Sequence, residues 1–220
     1  MTQNIAIIPV KHQSERVENK NFKPFGLNGS SLFDLLVDKL SKVGLDKIYI
    51  STNSPLVKPD DRYSILPRDN EFCNNVTPWS DVIAQVLSTI PEERDVNVLW
   101  CHTTTPLFVD YSKALNTFLG RDETRYDSLV VVEKMKEFIL TEHGLPVNYA
   151  FGPWHKYSQH LPSYYRIVGS LFIGKLADLL KYRYVFGINP LLFETDSSQS
   201  LDIDTPVDFE MARYLYNQNS

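Results

Sequence analysis

Cysteine is scarce in this chain. The 220 residues hold only Cys73 and Cys101. Two cysteines exclude a disulfide framework and a thiolate zinc site, and leave room for one crosslink at most. Two reduced thiols are the expectation. No apolar run approaches the roughly 20 residues needed to span a bilayer. The opening MTQNIAIIPV has no basic segment ahead of a long apolar core, so no export leader is read there. Cytoplasmic residence is what these absences leave as the expectation. Glycine does not occur before Gly26, and no GxxxxGK[ST] follows the first apolar run, which excludes a Walker loop. Cationic excess is missing too. Lys and Arg number 22 against 27 Asp and Glu, a net charge of -5, which argues against nucleic acid or an anionic membrane as partner. A polyanionic ligand would need a local cluster of cations.

What is present is an ordinary globular composition, 43% hydrophobic and 22% charged. A chain of this length buries roughly 70% of its unfolded surface and needs no staples. Residues 5–10 (IAIIPV) form a short continuous apolar run, the mark of a strand buried on both faces. Residues 31–43 are amphipathic, with Leu32, Leu35, Leu36 and Leu40 on one stripe and Gly44 as the stop. Strands are expected at 47–52, 97–101, 128–133, 169–173 and 200–203. Helices are expected at 80–89, capped by Thr77 or Ser80, and at 110–119 and 175–182. A last helix is expected over 205–216, with Thr205 as cap and Pro206 in its first turn. Residues 53–67 read as loop, and 134–166, rich in Tyr, His, Pro and Trp, as an excursion from the fold. Repeated strand-then-helix units predict a doubly wound α/β sheet with its ligand loops on one rim.

Three segments could carry chemistry. The loop after the first strand, PVKHQSERVENKNFKPFG, holds Lys11, Arg16, Lys20 and Lys23 against Glu15 and Glu18. Cations and free backbone amides at a strand end suit phosphates, although a solvated surface loop has the same composition. Asp202-Ile203-Asp204 precedes the last helix. In a strand, alternate carboxylates share one face and can hold Mg²⁺. The other reading is a helix N-cap region, which accounts for Asp204 but not Asp202. Cys101-His102-Thr103-Thr104-Thr105-Pro106 ends another strand with small hydroxyls that would admit a base or ribose, or form a plain turn.

Together these segments resemble the acylneuraminate cytidylyltransferases, the CMP-sialic acid synthetases, and the related CMP-Kdo synthetases. The family's opening IPARxxSxRxxxKN stands here as IPVKHQSERVENKN, with Ser14, Arg16, Lys20 and Asn21 in register. Its QPTSPLR becomes His102 to Phe108, and its SIDIDTxxD becomes Ser200 to Asp208. The resemblance runs along nearly the whole chain. It implies a Rossmann-like three-layer nucleotidyltransferase fold and transfer of CMP from CTP to a small acceptor, with pyrophosphate release. It further implies nucleotide contacts from Pro9, Lys11, Ser14, Arg16, Lys20, Asn21, Arg68, His102 and Thr104, and acceptor contacts from Gln159, Tyr165 and Arg166. Asp202 and Asp204 would bind Mg²⁺, and Arg16 and Lys20 would join them in catalysis. A homodimer is implied, with residues 141–165 as its arm or lid within a single 1–220 domain. The chain departs from the pattern at Lys11, Glu15, Phe108 and Val168, so the acceptor extends from nonulosonate sugar acids to phosphonates and phosphorylated small molecules. The rival readings are a nucleotide-sugar-dependent glycosyltransferase and a non-catalytic nucleotide-binding protein.

Overall fold

The first apolar run is a strand because both its faces are covered. β1 (Asn4–Val10) turns Ala6, Ile8 and Val10 to one helical layer and Ile5 and Ile7 to the other, as the two-residue period of a strand requires. The computed structural model describes residues 2–218; Met1, Asn219 and Ser220 lie outside the described residues. After β1 come α1 (Leu32–Leu40), β2 (Lys47–Thr52), β3 (Ser64–Pro67), α2 (Trp79–Ser88), β4 (Asn97–Cys101) and α3 (Tyr111–Leu119). Then follow β5 (Ser128–Met135), β6 (Tyr164–Lys175), α4 (Leu176–Tyr182), β7 (Pro190–Glu194) and α5 (Pro206–Gln218).

The seven strands form a sheet in the order β3-β2-β1-β4-β6-β5-β7. All neighbours are parallel except at β6, which runs antiparallel to both β4 and β5. Helices α1 and α3 cover one face, and α2 and α4 the other. This is the three-layer α/β arrangement expected from the sequence. Helix α5 stands apart from both layers. Its Phe209 and Ala212 pack on Val17, Phe25, Leu32 and Leu35, which ties the chain's last helix to the loop after β1. The sheet grows first to one side of β1 and then, through β4, to the other. Loops diverge at such a reversal and leave a crevice at the carboxyl ends of the strands.

Some boundaries differ from the sequence expectation. Residues 53–67 are not wholly loop, because β3 lies within them. It is a four-residue edge strand, only half-buried and paired with β2 alone, so it lacks the apolar signature of a covered strand. No strand forms at 200–203. Ile203 is buried, but its amide is tied by one bond to the Thr104 carbonyl, at 2.8 Å. The strand in that region is β7, which opens with Pro190, a residue that the start of an edge strand tolerates. The expected caps of α2 do not form. Pro78 occupies the cap position, without a side-chain bond. The excursion is shorter than expected, since β6 begins at Tyr164 and takes in Tyr165 and Arg166. Residues 136–163 hold two short 3-10 turns, Gly152–Trp154 and Ser158–His160.

The caps that do form follow elementary chemistry. Ser31 and Asp34 make a reciprocal capping box at α1. Thr205 and Asp208 do the same at α5: the Asp208 amide donates to the Thr205 hydroxyl at 3.2 Å, and the Thr205 amide donates to the Asp208 carboxylate at 2.7 Å. Lys39 on α1 is buried under the turn after β4, where its ammonium donates to the carbonyls of Pro106 and Phe108. Burial pulls its pKa down to about 8. Replacing Lys39 with Met leaves those carbonyls without a donor, so chemical denaturation should show a loss of about 1–3 kcal/mol.

Candidate active site

The crevice at the reversal is a cavity of about 780 Å³, within the range of small-molecule sites. Four stretches of chain build it. The loop after β1 supplies Pro9, Lys11, Ser14, Arg16, Lys20 and Asn21. Arg68 follows β3, His102 and Thr104 follow β4, and Asp204 comes from the segment before α5. Every nucleotide contact that the resemblance implied therefore lines one cavity. The implied acceptor residues do not. Gln159 is exposed on the excursion. The Tyr165 hydroxyl donates to Glu194 at 2.8 Å, and Arg166 pairs with Glu133 at 2.5 Å. None of the three lines the cavity.

The loop after β1 is held without a helix or strand of its own. Asn19 takes a left-handed backbone, φ 52°, a conformation that asparagine tolerates better than most residues. Its carbonyl accepts from the amides of Phe22 and Lys23, at 2.9 Å each. Asn21 is buried and acts as a tie. Its side-chain amide reaches the Lys11 carbonyl at 3.4 Å, and its oxygen accepts from the Thr103 hydroxyl at 2.7 Å. Loop and β4 end are thereby locked together.

Each cation of the cavity has a partner. Lys11 donates across to Asn75 at 2.7 Å, and Arg16 pairs with Asp204 at 2.7 Å. Both members of the latter pair are half-exposed or more, so it contributes little to stability. Lys20 donates to the Ile203 carbonyl at 2.6 Å. Burial lowers the Lys20 pKa, while Asp202 and then Asp204 pull it back up. Arg68 is buried with the Cys73 sulfur as its side-chain partner, at 3.1 Å from Nε, and burial lowers its pKa. A guanidinium buried without a carboxylate beside it is an incompletely compensated charge.

The two aspartates do not share a strand face, since they lie on no strand, yet both converge on Lys20. Burial raises the Asp202 pKa, partly offset by the Thr104 hydroxyl that donates to it. Its Oδ1 is buried with no hydrogen-bond partner. An orphaned carboxylate oxygen beside a second carboxylate fits a divalent cation. No cluster of three or more His, Cys, Asp and Glu exists among the described residues. The protein thus offers two carboxylates, and water or phosphate would complete the shell, as Mg²⁺ prefers.

His102 is fixed on both sides. The Trp100 indole can only donate, and its N–H meets Nε2 at 2.7 Å. The remaining proton sits on Nδ1 and is accepted by the Gly169 carbonyl. Gly169 has φ 79° and lies where the β5–β6 register shifts; a Cβ there would sit 3.9 Å from the Asp202 carboxylate and 4.0 Å from Nδ1. Those contacts are ordinary, and it is the positive φ that calls for glycine.

The far wall was not legible in the sequence. It runs from Phe72 to Trp79, with Val82.

Comparison with known proteins decides the family. The family described as cytidylyltransferase matches residues 5–220. This chain belongs to the cytidylyltransferase family. It is thus a nucleotidyltransferase enzyme. A pseudaminic acid cytidylyltransferase of Campylobacter jejuni is 21% identical over 239 aligned positions, which cover 99% of this chain and 97% of that protein. Among solved structures, a CMP:2-keto-3-deoxy-manno-octonic acid synthetase complexed with CTP superposes with a TM-score of 0.68 at 13% identity, covering 100% of both chains. The 2-C-methyl-D-erythritol 4-phosphate cytidylyltransferase of Francisella tularensis also reaches 0.68, at 18% identity over 97% of this chain and 100% of that one. At these identities the structural likenesses establish the fold. No helix among the described residues is long and apolar enough to cross a membrane.

Burial lowers the His102 pKa from 6.5 to about 4. The unfolded chain takes up this proton below about 6.5 and the folded protein resists until about 4. The unfolded state therefore binds more protons in that window, and stability falls as pH falls through it. Thermal or urea unfolding should show this acid loss, on the order of 2–3 kcal/mol. A His102→Asn variant, though less stable at neutral pH, should show a flatter profile between those limits.

Proposed function

We propose that this cytidylyltransferase moves CMP from CTP to a sugar acid of the nonulosonate or ulosonate class. The observation that carries the reading is the cavity itself, where Lys11, Arg16, Lys20, Arg68 and Asp204 line one space and the Asp202 carboxylate lies close enough behind it to act on Lys20. Four cations suit a triphosphate, and an orphaned carboxylate oxygen suits its metal. The activities for which the Campylobacter relative and the octonic acid synthetase are named support a sugar acid as acceptor.

In this reading the triphosphate displaces the internal partners of the loop. Arg16 exchanges Asp204 for phosphate oxygens, and Lys20 and Arg68 neutralise the remaining charge. The acceptor hydroxyl oxygen attacks the α-phosphorus in line. The bond to the bridging oxygen breaks, and pyrophosphate leaves with the electron pair. Mg²⁺ held by Asp202 and Asp204 would supply charge neutralisation at phosphate and acceptor oxygens and lower the acceptor pKa. His102 is no base for this step, because Nε2 already accepts from Trp100 and its pKa is about 4. The hydroxyl proton passes to solvent. Catalysis rests on positioning and electrostatics.

The exposed apolar residues of 140–157, among them Leu145, Phe151, Trp154 and Tyr157, support the reading of residues 141–165 as a dimerisation arm. Sedimentation should find a dimer, and a monomer at all concentrations would remove that role from the arm.

Lys20→Ala should lower kcat/KM at least about 100-fold in a pyrophosphate-release assay with CTP and a panel of sugar acids. Near wild-type turnover would sink the role given to Lys20. Asp204→Asn should abolish the metal dependence of the same assay, and a metal response like that of the unaltered enzyme would count against the site.

A further inference from the structure

Trp79 has no part in the chemistry above, and its position is unusual. It is the first residue of α2, lines the cavity and is 47% exposed. An indole left open at the wall of a cleft otherwise rich in cations and amides gains nothing for the fold from that exposure. Its placement is nevertheless rigid. The Trp79 ring packs edge-to-face on Trp100, with centroids 6.1 Å apart and planes at 87°. Trp100 is fully buried and anchored through its N–H to His102. The Trp79 ring also lies 6.4 Å from the His102 ring. Its backbone follows Pro78, whose carbonyl accepts from Asp81 and Val82 at 2.9 and 3.2 Å, and Asp81 is pinned in turn by Arg183. The ring is thus a positioned aromatic surface on the lining of the cavity.

We infer that Trp79 is the stacking platform for the nucleobase. This rests on the nucleotide reading of the cavity. The cations that line the cavity require the phosphates, and the half-exposed Trp79 ring on the same lining suits the planar end of the ligand. A nucleotide presents there a planar π face, which aromatic side chains bind by stacking. Every base has such a face, so stacking adds affinity without selecting among bases. Trp79 therefore sets how tightly nucleotides bind, while discrimination between CTP and UTP comes from hydrogen-bonding groups elsewhere in the cavity. The other candidate for the same surface is the saturated ring of the acceptor.

The experiment uses the full chain with Trp154→Phe, which leaves Trp79 and the buried Trp100 as its indoles. CTP and CMP are titrated with Mg²⁺ and no acceptor, following indole fluorescence and, in parallel, heat. The expected result is quenching by both nucleotides that tracks the calorimetric binding curve. Adding Trp79→Leu should abolish the quench and raise Kd roughly 5- to 100-fold for CTP and UTP alike. Trp79→Phe keeps a ring, and should lose the quench while retaining most of the affinity; it serves as the folded control should the Leu variant fail to fold. Calorimetric binding without any quench in the Trp154→Phe chain overturns the platform and leaves the nucleotide reading intact. So does a Trp79→Phe or Trp79→Leu effect confined to the KM of the acceptor, which would assign the surface to the sugar. Absence of nucleotide binding in the unaltered chain would remove both readings together.

Discussion

The reversal of sheet growth at β1 is the constraint on which the rest depends. A strand with parallel neighbours on both sides, β2 and β4, sends its own loop and that of β4 in different directions. The space between them must be lined by whatever those loops carry. Here one loop carries cations and the other carries His102 and small hydroxyls. The hydrophobic layers fix this geometry at a distance. β1 is gripped on both faces by apolar contacts, and so the ends of the strands have little freedom in where they point.

Within that frame the site is held by polar ties that each join two distant stretches. Asn21 joins the first loop to Thr103, and Lys20 joins it to the Ile203 carbonyl. Lys39 holds the turn beyond Thr105 from below. Ile203 is both wedged in the α5 cluster and bonded to Thr104. The ties hold the chain segments that carry the cations, so ligand binding has only side-chain partners such as Asp204 on Arg16 to exchange.

Much of this was readable in the sequence, for particular reasons. IAIIPV announced a strand covered on both sides, and the cationic loop behind it announced the ligand wall, because both signals are local. The Asp-x-Asp pair was found by pattern, but for a geometric reason that does not hold. The residues converge through the bond from Ile203 to Thr104 and the packing of α5, not through a shared strand face. The edge strands β3 and β7 were illegible or misplaced because each is short, only partly covered and bordered by a proline that reads as loop. Trp79 was invisible because one tryptophan before a helix looks like any core residue. Its meaning depends on Trp100, 21 positions later, being buried beneath it. The acceptor residues carried over by resemblance fall outside the cavity, since β6 engages Arg166 and Tyr165 in its own partnerships with Glu133 and Glu194.

The bond from Lys20 to the Ile203 carbonyl spans 183 positions of the chain. On a ribosome the cationic loop emerges well before the aspartate segment. Until that segment arrives, the buried ammonium has neither the carbonyl nor the carboxylates that compensate it, and Val17 and Phe25 lack the helix that covers them. The cavity therefore needs both of these distant segments in place, and the sheet between them shortens the loop that must close. A nascent or truncated chain can hold most of the strands and still present no finished binding site, so occupancy by nucleotide is a report on the integrity of the whole chain.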